Sequence, residues 1–237
     1  MSNKKCVLES LCVISLLACG SSGVVGAPDG GVAGDSGEGS ADVCSNPHVI
    51  DNALIEDFES GAIKWFSYQD GTGMLMGTTV NNAPPESNTG EVTGSQLAAH
   101  LQGSGFTDFG AGLGFSGWLM CVDVSAFAGI SLWAKGGPGT GTSLASGPRF
   151  NLLMPATLPV QFGGTCTVSC NDYHTVQLSL TEQWQKYSFR WNQFSQQGFG
   201  PPVSFNDRNL IGFNFSFLGS ASGTAFDLWI DEVELFN

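Results

Sequence analysis

Apolar and polar residues alternate one by one along much of this chain. Ile130, Leu132 and Ala134 alternate with Ser131, Trp133 and Lys135, and the run stops at Gly136-Gly137-Pro138. In residues 149–154, Phe150, Leu152 and Met154 take one side and Arg149, Asn151 and Leu153 the other. Val176, Leu178 and Leu180 alternate with Thr175, Gln177 and Ser179; Tyr187, Phe189 and Trp191 with Lys186, Ser188 and Arg190; Phe213, Phe215 and Phe217 with Asn214 and Ser216. A period of two puts successive side chains on opposite faces of a strand, so each run predicts a half-buried strand. Residues 55–61, 65–68, 74–80, 96–101 and 111–115 read as earlier strands, separated by turn signals such as Asp70-Gly71 and Pro84-Pro85.

The last run has an irregularity. Phe226, Leu228 and Ile230 share one parity, whereas Val233 and Leu235 have the other. A one-residue slip would turn the apolar set to the wrong face unless a bulge absorbs it, which places a bulge at Asp231-Glu232. Many short strands, each apolar on one side, predict an all-β fold: a two-sheet antiparallel sandwich of the jelly-roll type. No repeat period of 20–50 residues is visible, which argues against a propeller or solenoid.

Composition sharpens this picture. Gly 33, 11% aromatic and only 12% charged residues suit a turn-rich β domain at residues 49–237. The formal net charge of −13 argues against a nucleic-acid partner, because phosphate recognition needs clustered Lys and Arg. Residues 20–48, rich in Gly, Ser, Ala and Asp without periodicity, read as a flexible tether with a reach of roughly 25–30 Å.

The N-terminus reads as a targeting segment. Lys4-Lys5 precede a short apolar core at residues 11–18, too short to span a bilayer. Leu16-Leu17-Ala18-Cys19-Gly20 resembles the bacterial lipobox, although Glu9 near the core departs from the pattern. That resemblance implies that Cys19 is diacylated with palmitate-type chains and becomes the first mature residue. Gly20-Ser21-Ser22 lacks the Asp that retains lipoproteins at the inner membrane, so the outer membrane is the implied destination.

Beyond the leader four cysteines remain: Cys44, Cys121, Cys166 and Cys170. An even set in an oxidising compartment suggests disulfides, with three connectivities available. Cys166 and Cys170 are close enough to staple their own loop, which leaves Cys44 with Cys121. Cys166-x-x-x-Cys170-x-x-x-His174 also has ligand-like spacing for zinc but lacks a fourth ligand.

The order of motifs carries a second resemblance. Residues 55–61 followed by Trp65-Phe66-Ser67-Tyr68, a tryptophan-led strand at residues 183–189, and the closing runs 209–213 and 227–233 resemble family 11 carbohydrate-binding modules and related galactose-binding-like jelly rolls. The same order occurs in the domain of complex I assembly factors that shares this fold. The resemblance spans most of residues 49–237 and implies binding of β-glucan chains, as polysaccharide or oligosaccharide, on the concave sheet. The implied cleft aromatics fall on or near Tyr68, Phe109, Phe199 and Phe217; three of these are Phe, so ring faces remain while phenolic hydroxyls are lost. Phe217 shares parity with Phe213 and Phe215, which favours the core.

Polar candidates for the cleft are Arg149, Asn151, Asp172, His174, Gln177 and Asn214. A sugar ring packs its CH face on an aromatic ring while its hydroxyls need planar hydrogen-bonding groups. His174 shares parity with Val176 and reads equally as a structural histidine. Arg149 offers a fork of donors to sugar hydroxyls or a carboxylate, or forms a solvated surface pair. Related modules hold a structural Ca²⁺ where the first and last strands meet, which implies Glu59, Asp231 and Asp57 as ligands; a solvated acidic edge is the alternative. No nucleophile–histidine pair and no cleft pair of carboxylates can be nominated, so catalytic residues are not expected. The sequence leaves the oligomeric state open. A scaffold that keeps the fold for protein interaction is the competing function.

Overall fold

A computed structural model describes residues 44–60, 64–88, 94–115, 117–118, 120–137 and 147–237. Cys19, its lipobox and tether residues 20–43 lie outside the described residues. Among those described there is no α-helix; the strands are β1 (His48–Val49), β2 (Leu54–Glu56), β3 (Trp65–Gln69), β4 (Met74–Gly77), β5 (Glu86–Ser87), β6 (Leu97–Phe106), β7 (Ala111–Phe115), β8 (Val122–Asp123), β9 (Gly129–Gly137), β10 (Arg149–Leu153), β11 (His174–Gln177), β12 (Gln185–Arg190), β13 (Gly212–Phe217) and β14 (Thr224–Phe236).

Two antiparallel sheets face each other. One has the order β11-β10-β13-β7-β3; the other has β12-β9-β14-β6-β4, with β2 and β5 added on β14 and β6. The parity of β13 decides what lies between them. Phe213, Phe215 and Phe217 are buried and meet the apolar set of β14, with Phe217 stacked on Phe226 at 3.8 Å between ring centroids. Phe150 stacks on Phe215 at 4.6 Å and Phe115 on Phe213 at 4.9 Å. Fully burying each such ring contributes about 1.5–3 kcal/mol, so this phenylalanine layer is the main driving force for closing the sandwich.

The parity slip in the last strand is realised as a bulge. The register of β14 on β9 shifts between Asp231 and Glu234, and Glu232 sits at φ 47°. The extra residue lets Phe226, Leu228 and Ile230, then Val233 and Leu235, all enter the core. Strand β6 runs longer than its alternation suggests, because the glycines that break the pattern make room for a ring. A Cβ on Gly103 would lie 2.6 Å from the Phe106 side chain.

On the outer face of the seven-stranded sheet, Lys135, Trp229 and His100 pair in register across β9, β14 and β6, with Trp184 just before β12. His100 stacks on Trp229 at 3.9 Å and is held by Glu86 Oε2 at 2.9 Å and Asp227 Oδ1 at 3.1 Å. Lys135 Nζ lies 5.0 Å from both the Trp184 and Trp229 rings.

Candidate functional site

The opposite outer face, on the five-stranded sheet, gathers much of the chemistry. Strand register places Gln177, Arg149, Ser216, Gly112 and Tyr68 in one row across β11, β10, β13, β7 and β3. The next row is Thr175, Asn151, Asn214, Gly114 and Phe66. Both rows have the parity opposite to the buried phenylalanines, so all ten positions face away from the core. Five strands at about 4.8 Å spacing make the rows roughly 19 Å long, the span of a short oligosaccharide.

The glycines of β7 shape this face. A Cβ on Gly112 would lie 2.5 Å from Tyr68 Cζ, and one on Gly114 would run into the tip of the Phe66 ring. Both rings therefore reach over the glycine strip with their tips. They are tilted 36° to each other at 6.4 Å, and Phe66 is 41% exposed. An exposed ring on this face offers the kind of apolar surface that packs against the CH face of a sugar. Beside them, a cleft of about 210 Å³ is lined by Trp65, Phe66, Ser67, Thr79 and Asn82. Trp65 Nε1 and Thr79 Oγ1 are buried there without a hydrogen-bond partner.

The polar half is a connected network centred on Asn151. Its Nδ2 donates to Asn214 Oδ1 at 2.6 Å and Ser216 Oγ at 2.9 Å, while Thr175 Oγ1 donates to its Oδ1 at 2.7 Å. Tyr68 reaches across Gly112 to hydrogen-bond Ser216. Burial, and then the neighbouring Tyr173 phenol, raise the Tyr68 pKa; the bond to Ser216 only partly offsets them. Burial likewise pushes Tyr173 up to about 12, and its hydroxyl donates to Asn171 Oδ1 at 2.7 Å. Both phenols are therefore neutral donors at physiological pH. Asn151 and Asn214 are only 3% and 6% exposed, so this network rigidifies the floor of the face while its rim meets solvent. At that rim Gln177 is exposed and donates to the Pro148 carbonyl at 3.1 Å, and half-buried Arg149 has its pKa lowered by burial.

Of the residues nominated from sequence, Tyr68, Arg149, Asn151, Gln177 and Asn214 share this face. The others lie elsewhere. His174 has core parity: its Nε2 bonds the Val203 carbonyl at 2.9 Å and its ring packs on Phe205. Asp172 is buried and accepts the backbone N–H groups of Gln197, Gly198 and Gly200 at 2.8–3.0 Å. Burial alone would raise its pKa, but those N–H bonds outweigh it and hold the carboxyl below the usual range. Asp172 therefore organises the loop that displays Phe199, which is 57% exposed. Phe109, 55% exposed, lies in the turn before β7, and Phe217 is in the core. Sequence reasoning missed Phe66, Thr175, Ser216, Tyr173 and the two glycines. Parity with Tyr68 and Asn214 was the available signal, but register across strands was needed to read it.

The acids at the chain ends converge from β14 and the turn after β2. Ser95 Oγ lies 2.6 Å from Asp231 Oδ2 and 3.2 Å from Glu59 Oε1. One hydroxyl has one proton, so it serves only one of the two carboxylates at a time. Glu59 Oε1 also takes the Gln96 and Leu97 N–H groups at 2.7 and 2.8 Å. Asn88 Nδ2 donates to Asp231 at 3.1 Å, while Asn88 Oδ1 is buried without a partner. Asp231 is fully buried with no cation paired to it among the described residues, and burial pushes it up to about 6. Two carboxylates, a hydroxyl and an unsatisfied amide oxygen are hard oxygen donors of the type calcium prefers. Asp57 Oδ1 is turned to the Glu59 N–H at 3.1 Å, and no group of three or more His, Cys, Asp or Glu suited to a metal occurs among the described residues.

Cys44 is bonded to Cys121 and Cys166 to Cys170, with Cα atoms 5.3 and 5.7 Å apart. The first bond ties the end of the tether to the sandwich; the second closes the loop before β11.

The sequence matches no protein-family profile and no curated protein. The fold does match solved structures. A family 11 carbohydrate-binding module of a cellulosomal cellulase from Clostridium thermocellum aligns with 79% of this chain and 95% of its own, at TM-score 0.55 and 16% identity. The chain has the fold of these modules. A family 11 module from the same organism, in complex with a β-1,3-1,4-mixed-linked tetrasaccharide, aligns at TM-score 0.54 and 16% identity over 78% of this chain and 95% of its own. A family 30 module from Clostridium thermocellum gives 0.51 and 15% over 79% and 98%. Identity this low establishes architecture, and the site must be argued from its own residues.

Proposed function

We propose that this protein binds polysaccharide without cleaving it, on the outer face of the five-stranded sheet. The observation that carries the reading is the pairing of two rings that overhang the glycine strip, Phe66 and Tyr68, with a fixed row of amides and hydroxyls on the three strands beyond it. Rings supply apolar contact to pyranose faces, and the rim groups of Arg149, Gln177, Thr175 and Ser216 take up ring hydroxyls above the buried amide floor. A nearly flat face suits an extended, β-glucan-type chain, and the family 11 module solved with a β-1,3-1,4-linked tetrasaccharide supports that shape of ligand. The five strands contain no Asp or Glu, which supports binding over glycosidic hydrolysis with its paired carboxyl groups.

The same proposal includes a lipid anchor at Cys19, with the domain held at the outer membrane by the tether. It also includes a structural Ca²⁺ held by Glu59 and Asp231, with Asn88 and Ser95 contributing oxygen, and Asp57 as the adjacent acid. Such an ion would neutralise the buried carboxylate and join the two ends of the domain. Affinity gel electrophoresis against soluble β-glucans tests the site. Phe66→Ala and Tyr68→Ala should each weaken retardation by about tenfold, the scale of losing one stacked ring. Retardation that survives the double variant would place binding elsewhere, and no retardation on any glycan would favour a protein-interaction role.

A further inference from the structure

Charge is distributed very unevenly between the two sheets. The chain carries 21 acidic residues against 8 basic ones. Strands β3, β7, β10, β11 and β13 contain none of those acids, and Arg149 is the sole Lys or Arg among them. The other sheet holds Glu56, Glu86, Asp227, Asp231, Glu232 and Glu234.

Arg149 is second in one binding row, between Gln177 on the edge strand and Ser216. Its guanidinium has no hydrogen bond or ion pair to any described residue. Among the described residues burial is the cause that lowers its pKa, and no carboxylate of theirs offsets it. A partly desolvated cation without a counter-ion is unfavourable, and its retention on a ligand face has a direct chemical use. The acids at the margins do not serve it. Asp172 is occupied by the backbone of residues 197–200, and Asp70 by Thr72, Asp108 and Gly110. Residues 138–146, which lead toward β10, contain no acid.

We propose that the glycan taken by this face is anionic, its carboxylate or sulfate groups supplying the counter-ion that no described residue gives Arg149. The proposal rests on the polysaccharide-binding reading above and adds the charge of the ligand to its shape. The planar fork of Arg149 matches a carboxylate or sulfate through two parallel N–H bonds, while the neighbouring Gln177 Nε2 is taken up by the Gly147 and Pro148 carbonyls. The net charge of −13 opposes such a ligand in general and so makes the test specific. A polyanion is repelled by the protein as a whole, so retention of one would report a specific site rather than general attraction.

The test compares the intact domain on three polymers by affinity electrophoresis and calorimetry: neutral mixed-linkage β-glucan, polygalacturonate, and a sulfated galactan. The expected result is tighter binding to an acidic polymer, weakened by added salt. In Arg149→Gln the acidic-over-neutral preference should collapse by about tenfold or more, the size of one charge-assisted hydrogen bond. Arg149→Lys keeps the charge but not the fork, and should keep the salt dependence at lower affinity. Polygalacturonate against sulfated galactan separates carboxylate from sulfate. A melting temperature equal to wild type verifies that the variants are folded. Neutral glucan bound as tightly as either acidic polymer, or an acidic preference unchanged in Arg149→Gln, overturns this inference and leaves the binding reading standing. Failure to bind all three polymers overturns both.

Discussion

Substituting Asp231 by Asn perturbs the chain-end acids at their most buried point. Asp231 ionises at about 6 in the fold against an ordinary 3.8, because burial penalises its charge. A raised carboxyl means that the folded state binds more protons than the unfolded one between those values. The associated stability is therefore fully present below pH 3.8 and lost as pH rises through 6, a cost of about 3 kcal/mol at neutral pH without a cation. Asn keeps the shape and removes the charge, but it loses one or two of the hydrogen bonds from Ser95, Asn88 and the Glu232 N–H, at about 1 kcal/mol each. In EDTA at pH 7.5, Asp231→Asn should therefore be more stable than wild type by about 1–2 kcal/mol, or about 4 °C in melting temperature. At pH 4.5 that advantage should vanish. Added calcium reverses the order, because a hundredfold excess over Kd stabilises wild type by about 2.7 kcal/mol and leaves the variant unmoved. Circular-dichroism melts from pH 4 to 8, with EDTA and with calcium, give the difference profile. A difference that stays flat with pH refutes the electrostatic argument, and a wild type indifferent to both EDTA and calcium refutes the metal.

Two further predictions concern buried polar groups. Asn151→Ala strips partners from Asn214, Ser216 and Thr175 at once; urea unfolding should show a loss of about 2–3 kcal/mol, and a change under 1 kcal/mol would mean the network is dispensable. Burial pulls His100 down, but hydrogen bonds and charge from Asp227 and Glu86 outweigh it, so its pKa is raised. That stability is complete below about pH 6.5 and lost as pH rises through the raised value; Asp231 titrates in the adjacent window. In the Asp231→Asn background, His100→Gln should remove the remaining decline in melting temperature across pH 6–9. A decline that persists would assign it to other groups.

Much of this protein is legible from alternation alone. Phe213, Phe215 and Phe217, or Phe226, Leu228 and Ile230, leave a strand only one way to bury its rings, so fold class followed directly. The slip at Asp231-Glu232 foretold a bulge, because the core face of β14 has to be recovered within one residue. The same rule of parity sent His174 inward and Asn214 outward. What alternation cannot supply is which strands lie side by side. Phe66 and Tyr68 become a platform only because β3 pairs with β7, whose glycines leave room for the rings. Asn151 meets Asn214 and Thr175 only because β10 lies between β13 and β11. Burial of Asp172 under a loop more than twenty residues away, and the absence of a described acid paired with Arg149, are likewise facts of neighbourhood. Sequence determined which face of each strand is polar, since hydrophobic burial acts residue by residue. Only the tertiary structure decided which polar faces join, since that depends on long-range pairing and on where the chain's charge comes to lie.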